Sequence, residues 1–490
     1  MKKQAFNPIL PLSEYIPDGE PHVFGDRVYL YGSHDKEGGK TFCMLDYEVW
    51  SAPVDDLGNW TSKGPNYSAK QDPLYSKKMK YMFAPDCVKG NDGRFYLYYC
   101  MAGHKGLGGY YNPVSVAVSD TPDGKFTYLG VVRNPDGSPL MRYVCFDPSV
   151  INDNGVIRLY YGTYWPWFEG IRFGPLKNKL YKRFFGRSKK QREYVPEGIL
   201  GAYHVTLSDD MLTATSAPVR IDHSISGEEY KEHLFFEGSS MRKNGEKYYF
   251  IYSSINNHEL CYAFSDKPDG GFQYGGTIVS NGDIGFLGRK KEDRLNHTGT
   301  NHGSMESING KWYVFYHRLT HCSDYSRQAC AEPVEIRPDG SIPQVQISSC
   351  GLNGCPLRAE GEYPAGICCI LTNGKMTHGS NKKAKTKEPR VSSGDGERYI
   401  SFIADNTLIG YRSFSFEGPI TLSLRYRGKG EGAFEIMVDI NGPVLSKIPI
   451  CATKKWKDKE TELPVPVGVR PLYFRYSGSG RIELLSFQLS

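Results

Sequence analysis

The sequence predicts an all-β chain: a five-bladed β-propeller over residues 1–342, followed by a β-sandwich of jelly-roll type over residues 343–490. Three observations carry this reading. Aromatic residues make up 13% of the 490 residues, with 35 tyrosines gathered in short runs. Those runs recur five times behind a turn, and the composition shifts beyond about residue 342. A small strand unit repeated at a regular spacing is the mark of propellers and solenoids.

The repeated unit is a tight turn followed by an aromatic strand. It reads Gly25-Asp26-Arg27-Val28-Tyr29-Leu30-Tyr31, then Asp92-Gly93-Arg94-Phe95-Tyr96-Leu97-Tyr98-Tyr99, then Asn154-Gly155-Val156-Ile157-Arg158-Leu159-Tyr160-Tyr161. The last two copies are Asn244-Gly245-Glu246-Lys247-Tyr248-Tyr249-Phe250 and Asn309-Gly310-Lys311-Trp312-Tyr313-Val314-Phe315-Tyr316. Asn-Gly and Asp-Gly supply the positive φ angles of two-residue hairpin turns, so each copy is the second half of a hairpin. A further strand and turn follow in at least two copies, ending Ser119-Asp120-Thr121-Pro122-Asp123-Gly124 and Ser265-Asp266-Lys267-Pro268-Asp269-Gly270. Hairpin plus outer strands, five times over, makes five blades.

Successive copies are 62 to 67 residues apart except for the third step, which is 91. That step contains Lys177, Lys179, Lys182, Arg183, Arg187, Lys189, Lys190 and Arg192 with no acid among them, and it is expected to be a loop insertion on the surface or at the lip of a site. The fifth blade is expected to close through Glu332-Pro333-Val334-Glu335-Ile336. Residues 373–398 are poor in large apolar side chains and read as an exposed loop. The apolar run Tyr363 to Leu371 reads as one early strand of the sandwich, and alternating strands around Tyr399, Leu422 and Leu484 supply others.

Composition excludes several classes. Charged residues are 23% and mean hydropathy is −0.48, with no apolar run near the roughly 20 residues that cross a bilayer. Neither a membrane protein nor a disordered one is expected. The net charge of +6 comes from the insertion alone, which argues against a nucleic-acid partner. The twelve cysteines lie mostly singly within strand patterns and are expected to be thiols. The segment Met1 to Pro8 carries no apolar targeting stretch, so a cytoplasmic location is expected.

Familiar cofactor motifs fail. Gly428-x-Gly430-x-x-Ala433 sits between strands, without the helix that would present amides to a pyrophosphate. No phosphate loop, serine elbow or His-Glu-x-x-His is present. What stands out is carboxylates where particular blades begin: Asp18 before the first hairpin, Asp147 in Phe146-Asp147-Pro148-Ser149, and Glu237 in Phe236-Glu237-Gly238. In a propeller such positions converge at one mouth, and a pair of carboxyls with a third to adjust a pKa is the equipment of glycoside hydrolysis. Phe83, Trp165 and Trp167 are candidates to stack on a sugar ring, and Asp86 reads as structural.

Residues 5–340 resemble the family 43 glycoside hydrolases. The carrying stretches are Asn7-Pro8-Ile9-Leu10, Tyr29 to Asp35, Ala84-Pro85-Asp86, Phe146-Asp147-Pro148-Ser149, Phe236-Glu237-Gly238, Asn301-His302-Gly303-Ser304 and Tyr316-His317-Arg318, in family order. The resemblance implies an inverting exo-glycosidase that releases terminal α-L-arabinofuranose or β-D-xylose from plant oligosaccharides or polysaccharides. It also implies Asp18 as general base, Glu237 as general acid and Asp147 as the residue that raises and orients the acid. Gly19 follows Asp18 where many members have proline, which leaves Glu20 as a rival base. Arg318 is implied near the sugar and His302 as the holder of a calcium ion or water in the channel; His34 and Phe83 join them as candidate substrate-binding residues, and no cofactor is implied for the chemistry itself. Galactan or arabinan cleavage and a silent glycan-binding propeller remain as alternatives. The C-terminal half resembles a family 6 carbohydrate-binding sandwich through Leu408 to Phe414, Arg427-Gly428-Lys429-Gly430 and Leu485 to Leu489, with Tyr411 or Trp456 as candidate sugar platforms.

Overall fold

Asn-Gly, Asp-Gly and Gly-Asp turns do set the hairpins. The computed structural model describes residues 3–106, 109–141, 144–169, 171, 173–185, 200–379 and 387–490. Blade one is β1 (Glu20–Phe24), β2 (Arg27–Tyr31), β3 (Trp50–Pro53) and β4 (Thr61–Ser62); blade two is β5 (Tyr81–Lys89), β6 (Phe95–Ala102), β7 (Ser115–Ser119) and β8 (Thr127–Val131). Blade three is β9 (Ser149–Asp153), β10 (Val156–Thr163), β11 (Gly201–Leu207) and β12 (Val219–Arg220); blade four is β13 (Phe235–Asn244), β14 (Lys247–Ser254), β15 (Glu259–Ser265) and β16 (Gln273–Ser280). Blade five has β17 (Ser304–Ile308), β18 (Lys311–Arg318) and β19 (Gln328–Val334). All neighbours within a blade are antiparallel.

The second strand of each blade is covered on both faces by adjoining blades. All eight residues of β6 are buried, so its pattern is continuous rather than alternating. Tyrosine rather than phenylalanine recurs there because the ring fills the blade interface while the hydroxyl bolts one blade to the next. Tyr31 Oη donates to Pro122 O at 2.7 Å, Tyr98 Oη to Met211 O at 2.7 Å, Tyr160 Oη to Pro268 O at 3.0 Å and Tyr249 Oη to Gly340 O at 3.2 Å. Each acceptor lies in the outer turn of the following blade. The two repeats seen in the sequence are therefore donor and acceptor of one contact.

Blade five ends with β19, through Glu332 and Val334 as expected, and the N-terminal segment closes it. Ile9 N donates to Ala329 O at 3.0 Å, Ala331 N donates to Asn7 Oδ1 at 2.9 Å, and Asn7 Nδ2 reaches Glu332 Oε1 at 2.9 Å. The insertion of blade three begins with α1 (Pro166–Glu169) and α2 (Gly174–Phe185); the rest of the basic stretch, with Arg187, Lys189, Lys190 and Arg192, lies outside the described residues.

The sandwich is formed by β20 (Leu357–Arg358), β21 (Gly361–Pro364), β22 (Ile370–Thr372), β23 (Arg390–Gly394), β24 (Glu397–Ile403), β25 (Leu408–Phe416), β26 (Ile420–Gly428), β27 (Glu431–Met437), β28 (Ser446–Ile450), β29 (Thr453–Leu463), β30 (Gly468–Ser479) and β31 (Ile482–Leu489). One sheet runs β20-β25-β30-β27-β28 with β22 on β25, the other β23-β24-β31-β26-β29 with β21 on β31. Tyr363 to Leu371 is thus two strands in different sheets. Pro364 and a short 3-10 turn at Ala365–Ile367 break the run and carry the chain across the core. Residues 373–398 are not simply a loop either: Glu388 is buried and its Oε2 accepts from His297 Nδ1 at 2.9 Å, and β23 opens within it.

The sandwich is not hung on a free linker. Tyr249, Ile251, Leu260 and Val314 of the propeller share one buried cluster with Cys369, Ile370, Met437 and Tyr473 of the sandwich. Arg412 Nη1 meets Asp283 Oδ2 at 2.6 Å across the same seam, both buried.

Candidate active site

Four blades open through a residue in the left-handed region, where a side chain leaves the strand direction: Asp18 (φ 59°), Ala84 (φ 36°), Asp147 (φ 45°) and Gly238 (φ 71°). Such conformations are strained for residues other than glycine and concentrate where structure serves chemistry. Two residues further on, Glu20, Asp86, Ser149 and Ser240 are all buried around the axis together with Ser304 of blade five, and Ser240 Oγ lies 2.7 Å from Ser304 Oγ and 3.1 Å from Glu20 Oε2. The strand starts thereby separate two layers: the ring that packs the channel, and above it the residues that face the mouth.

Asp18 sits in that upper layer among nitrogen atoms. Its Oδ1 accepts from Arg327 Nη1 at 2.7 Å and lies 3.4 Å from His317 Nδ1 and 3.7 Å from His302 Nδ1. Burial alone would raise this carboxyl, but the Arg327 guanidinium overrides it and holds Asp18 well below the usual carboxylate range. Arg327 is itself fixed: Nε and Nη2 bind the two oxygens of Asp35 at 2.8 and 3.1 Å, and its guanidinium lies 4.9 Å from the centre of the Phe42 ring. His317 donates through Nε2 to Thr300 O at 3.0 Å, which leaves Nδ1 to accept the Asp18 amide at 3.4 Å.

The other two acids lie in the opposite electrostatic setting. Burial, with the charge of Asp18, pushes Glu237 up to about 8 although Arg327 opposes the shift, and no hydrogen bond to its carboxyl is found among the described residues. Asp147 is pushed well above its ordinary value by burial and then by Glu237. Its Oδ2 accepts the Gly238 amide at 3.2 Å, next to Glu237 in the chain, and stands 3.8 Å from His302 Nδ1. Burial lowers His302 to about 4, so its ring is neutral at pH 7 and lies between Asp18 and Asp147.

An arc of rings borders these acids. Phe42 meets Phe83 edge-on at 6.2 Å, Phe83 meets Phe146 at 6.2 Å, Phe146 meets Tyr110 at 4.5 Å and Tyr110 meets Trp165 at 5.3 Å. Trp165 stacks on Phe236 at 6.4 Å, and Trp167 lies 6.0 Å from the same ring.

The structure brings Asp18, Asp147, Glu237, His302 and Phe83 into this group. Arg318 is elsewhere: neighbours in a strand point to opposite faces, and with His317 on the Asp18 side Arg318 faces the seam, where Nε contacts Cys330 Sγ at 2.9 Å and Nη1 donates to Cys368 O at 3.2 Å. His34 is taken up by Asp46 O at 2.8 Å and Glu14 at 3.6 Å. The rival Glu20 is in the lower layer, held by Arg242 Nη2 at 2.6 Å. Asp86 joins three blades through His22 Nε2 at 2.6 Å and the Val150 amide at 2.7 Å. In the sandwich, Tyr411 is wholly buried with its hydroxyl on Ala365 O, so it is core, and Trp456 is overlaid by Arg427 at 4.3 Å. Sequence reasoning missed Arg327, whose signal was a cation opening the apolar strand β19.

Residues 6–342 match the model of the family described as glycosyl hydrolases family 43. The chain is 41% identical over 505 residues to a xylosidase/arabinosidase of Thermoclostridium stercorarium, a match covering 100% of this chain and 99% of the relative. It is 29% identical over 356 residues to xylosidase/arabinosidase 43A of Humicola insolens, covering 67% and 96%. Among solved structures, a β-xylosidase/α-arabinofuranosidase from a compost microbial metagenome, in complex with xylotriose, superposes with a TM-score of 0.53 at 26% identity over 70% of this chain and 98% of its own.

Proposed function

The chain belongs to the glycosyl hydrolases of family 43, and from that premise we propose that it is an inverting exo-glycosidase releasing terminal β-D-xylose or α-L-arabinofuranose from hemicellulose-derived chains. The observation that carries the mechanism is the opposed titration of two carboxyls in one cleft: Asp18 held ionised by Arg327, and Glu237 held protonated to about 8. A base must be charged and an acid must keep its proton at the working pH, and separation of the two by environment assigns the roles.

Asp18 takes a proton from water as that water attacks the anomeric carbon. Glu237 gives its proton to the glycosidic oxygen as the bond to the leaving group breaks. One displacement from the face opposite the leaving group inverts the anomeric configuration. Asp147 holds the Gly238 amide and so sets the direction from which Glu237 approaches. His302 and Phe83 border the sugar. Calcium stays outside these steps. It takes roughly six to eight oxygen ligands, whereas His302 offers a nitrogen beside two carboxylates, one of them already engaged by Arg327. Cysteines that lie mostly singly and buried within strands favour a reducing compartment as the place of action.

The test is hydrolysis of 4-nitrophenyl β-D-xyloside, 4-nitrophenyl α-L-arabinofuranoside and xylobiose by the protein and by Glu237→Gln. We expect turnover of at least one aryl pentoside, and a loss of roughly a hundredfold or more in the variant on the substrate with the poor leaving group. A protein inert on all three, or a variant as active as the parent on xylobiose, refutes the assignment.

A further inference from the structure

The third spacing between repeats exceeds the others by more than twenty residues, and the excess begins beside the acid. Phe236 O accepts from Thr163 Oγ1 and from the Tyr164 amide, both at 2.8 Å, which fastens the start of the insertion to the strand that carries Glu237. Trp165 Nε1 donates to the same Thr163 Oγ1 at 3.0 Å, so Trp165 is anchored and Trp167 lies against it at 5.5 Å. Unlike Phe83 and Phe146, which are 7% and 4% exposed, Trp167 is 54% exposed. An indole presented to solvent beside the acid, continuous with the arc of rings that borders it, is a candidate binding surface, because ligand sites are lined by aromatic side chains with a few placed polar groups.

The direction of the chemistry says which part of the substrate lies there. An acid must reach the glycosidic oxygen, so the sugar being expelled leaves along the Glu237 side, while water and Asp18 occupy the other. We propose that Trp167, which lies at a tilt to Phe236 and is backed by Trp165, is the platform for the leaving-group sugar, a xylopyranose whose flat chair face lies on the indole. This inference rests on the exo-glycosidase reading above and deepens it: the insertion makes the protein a cleaver of chains rather than of simple pentosides.

The experiment compares xylobiose with β-D-xylosyl fluoride, which has the same reacting sugar and no leaving sugar, for the parent, Trp167→Ala and Trp167→Phe. Where the parent cleaves only arabinosides, arabinofuranosyl-xylobiose and arabinofuranosyl fluoride take their place. The expected result is a fall of about tenfold or more in kcat/KM on the disaccharide for Trp167→Ala, carried mainly by KM, with the fluoride rate unchanged and most of the loss restored in Trp167→Phe. An equal fall on both substrates, or no fall on the disaccharide, overturns the platform. A parent that turns over neither substrate overturns the glycosidase reading itself, so the two failures are distinct.

Discussion

Two carboxyls in one buried group, separated by what surrounds them, set the behaviour at the scale of single residues. Burial and the Asp18 charge push Glu237 up to about 8, so kcat/KM should fall as pH rises through that value if it is the acid, because it then loses the proton it must donate. Asp18 has its pKa depressed in the folded state. Its ionised form adds stability above the ordinary carboxylate value of about 4, and that contribution disappears as pH falls through the lowered value. Arg327→Met removes the group that depresses it. We expect the acidic limb of the kcat/KM profile to move up by about one pH unit or more and activity at pH 6 to drop roughly a hundredfold, with Arg327→Lys between the two; an unmoved acidic limb would show that Arg327 does not set the base. The three acids were legible in the sequence because each stands at a blade's opening in an ordered set. Arg327 was harder to read: a cation before β19 marks the position, but only the fold carries residue 327 to residue 18. Arg318 was placed wrongly, although strand alternation beside His317 already directs it away from the mouth.

At the scale of elements, the left-handed residue that opens four of the five blades turns a strand into a site. Gly238 has φ 71°, and a Cβ there would stand 3.0 Å from the His302 ring and from Ser253 Oγ. Gly238→Ala is therefore expected to destabilise the fold by about 1–3 kcal/mol and to lower kcat by displacing His302 and Glu237. Denaturant unfolding and steady-state kinetics check the two parts, and a variant with parental stability would mean that the strand relaxes freely here. The count of blades was readable because tyrosine served a bond as well as a core, and both partners of that bond recur. The split of Tyr363 to Leu371 between two sheets was hidden, since a continuous apolar run does not reveal where a chain crosses a core.

The whole molecule behaves as one unit because its two halves share buried side chains. Asp283 and Arg412 meet in the seam, and Ile347 between the halves donates its amide to Asp283 Oδ1 at 2.9 Å while its carbonyl accepts from Arg412 at 3.1 Å. Removal of one member of a buried pair leaves an uncompensated charge, so Arg412→Ala should cost about 3–5 kcal/mol. Calorimetry of the parent is expected to show a single cooperative transition, and of the variant a lower or divided one. Two independent transitions in the parent would contradict a shared core.

The closure of blade five by Asn7 and Ile9 has a consequence for the order of events in the cell. A ribosome delivers residue 18 early and residue 327 some three hundred residues later, and the ring joins only when the first segment finds the last strand. Until then Asp18, the proposed base, lacks the guanidinium that holds it ionised. On the proposed mechanism, a chain that stops short of residue 327 holds four blades and an unfinished site, and hydrolysis is expected to begin only with the event that completes the circle.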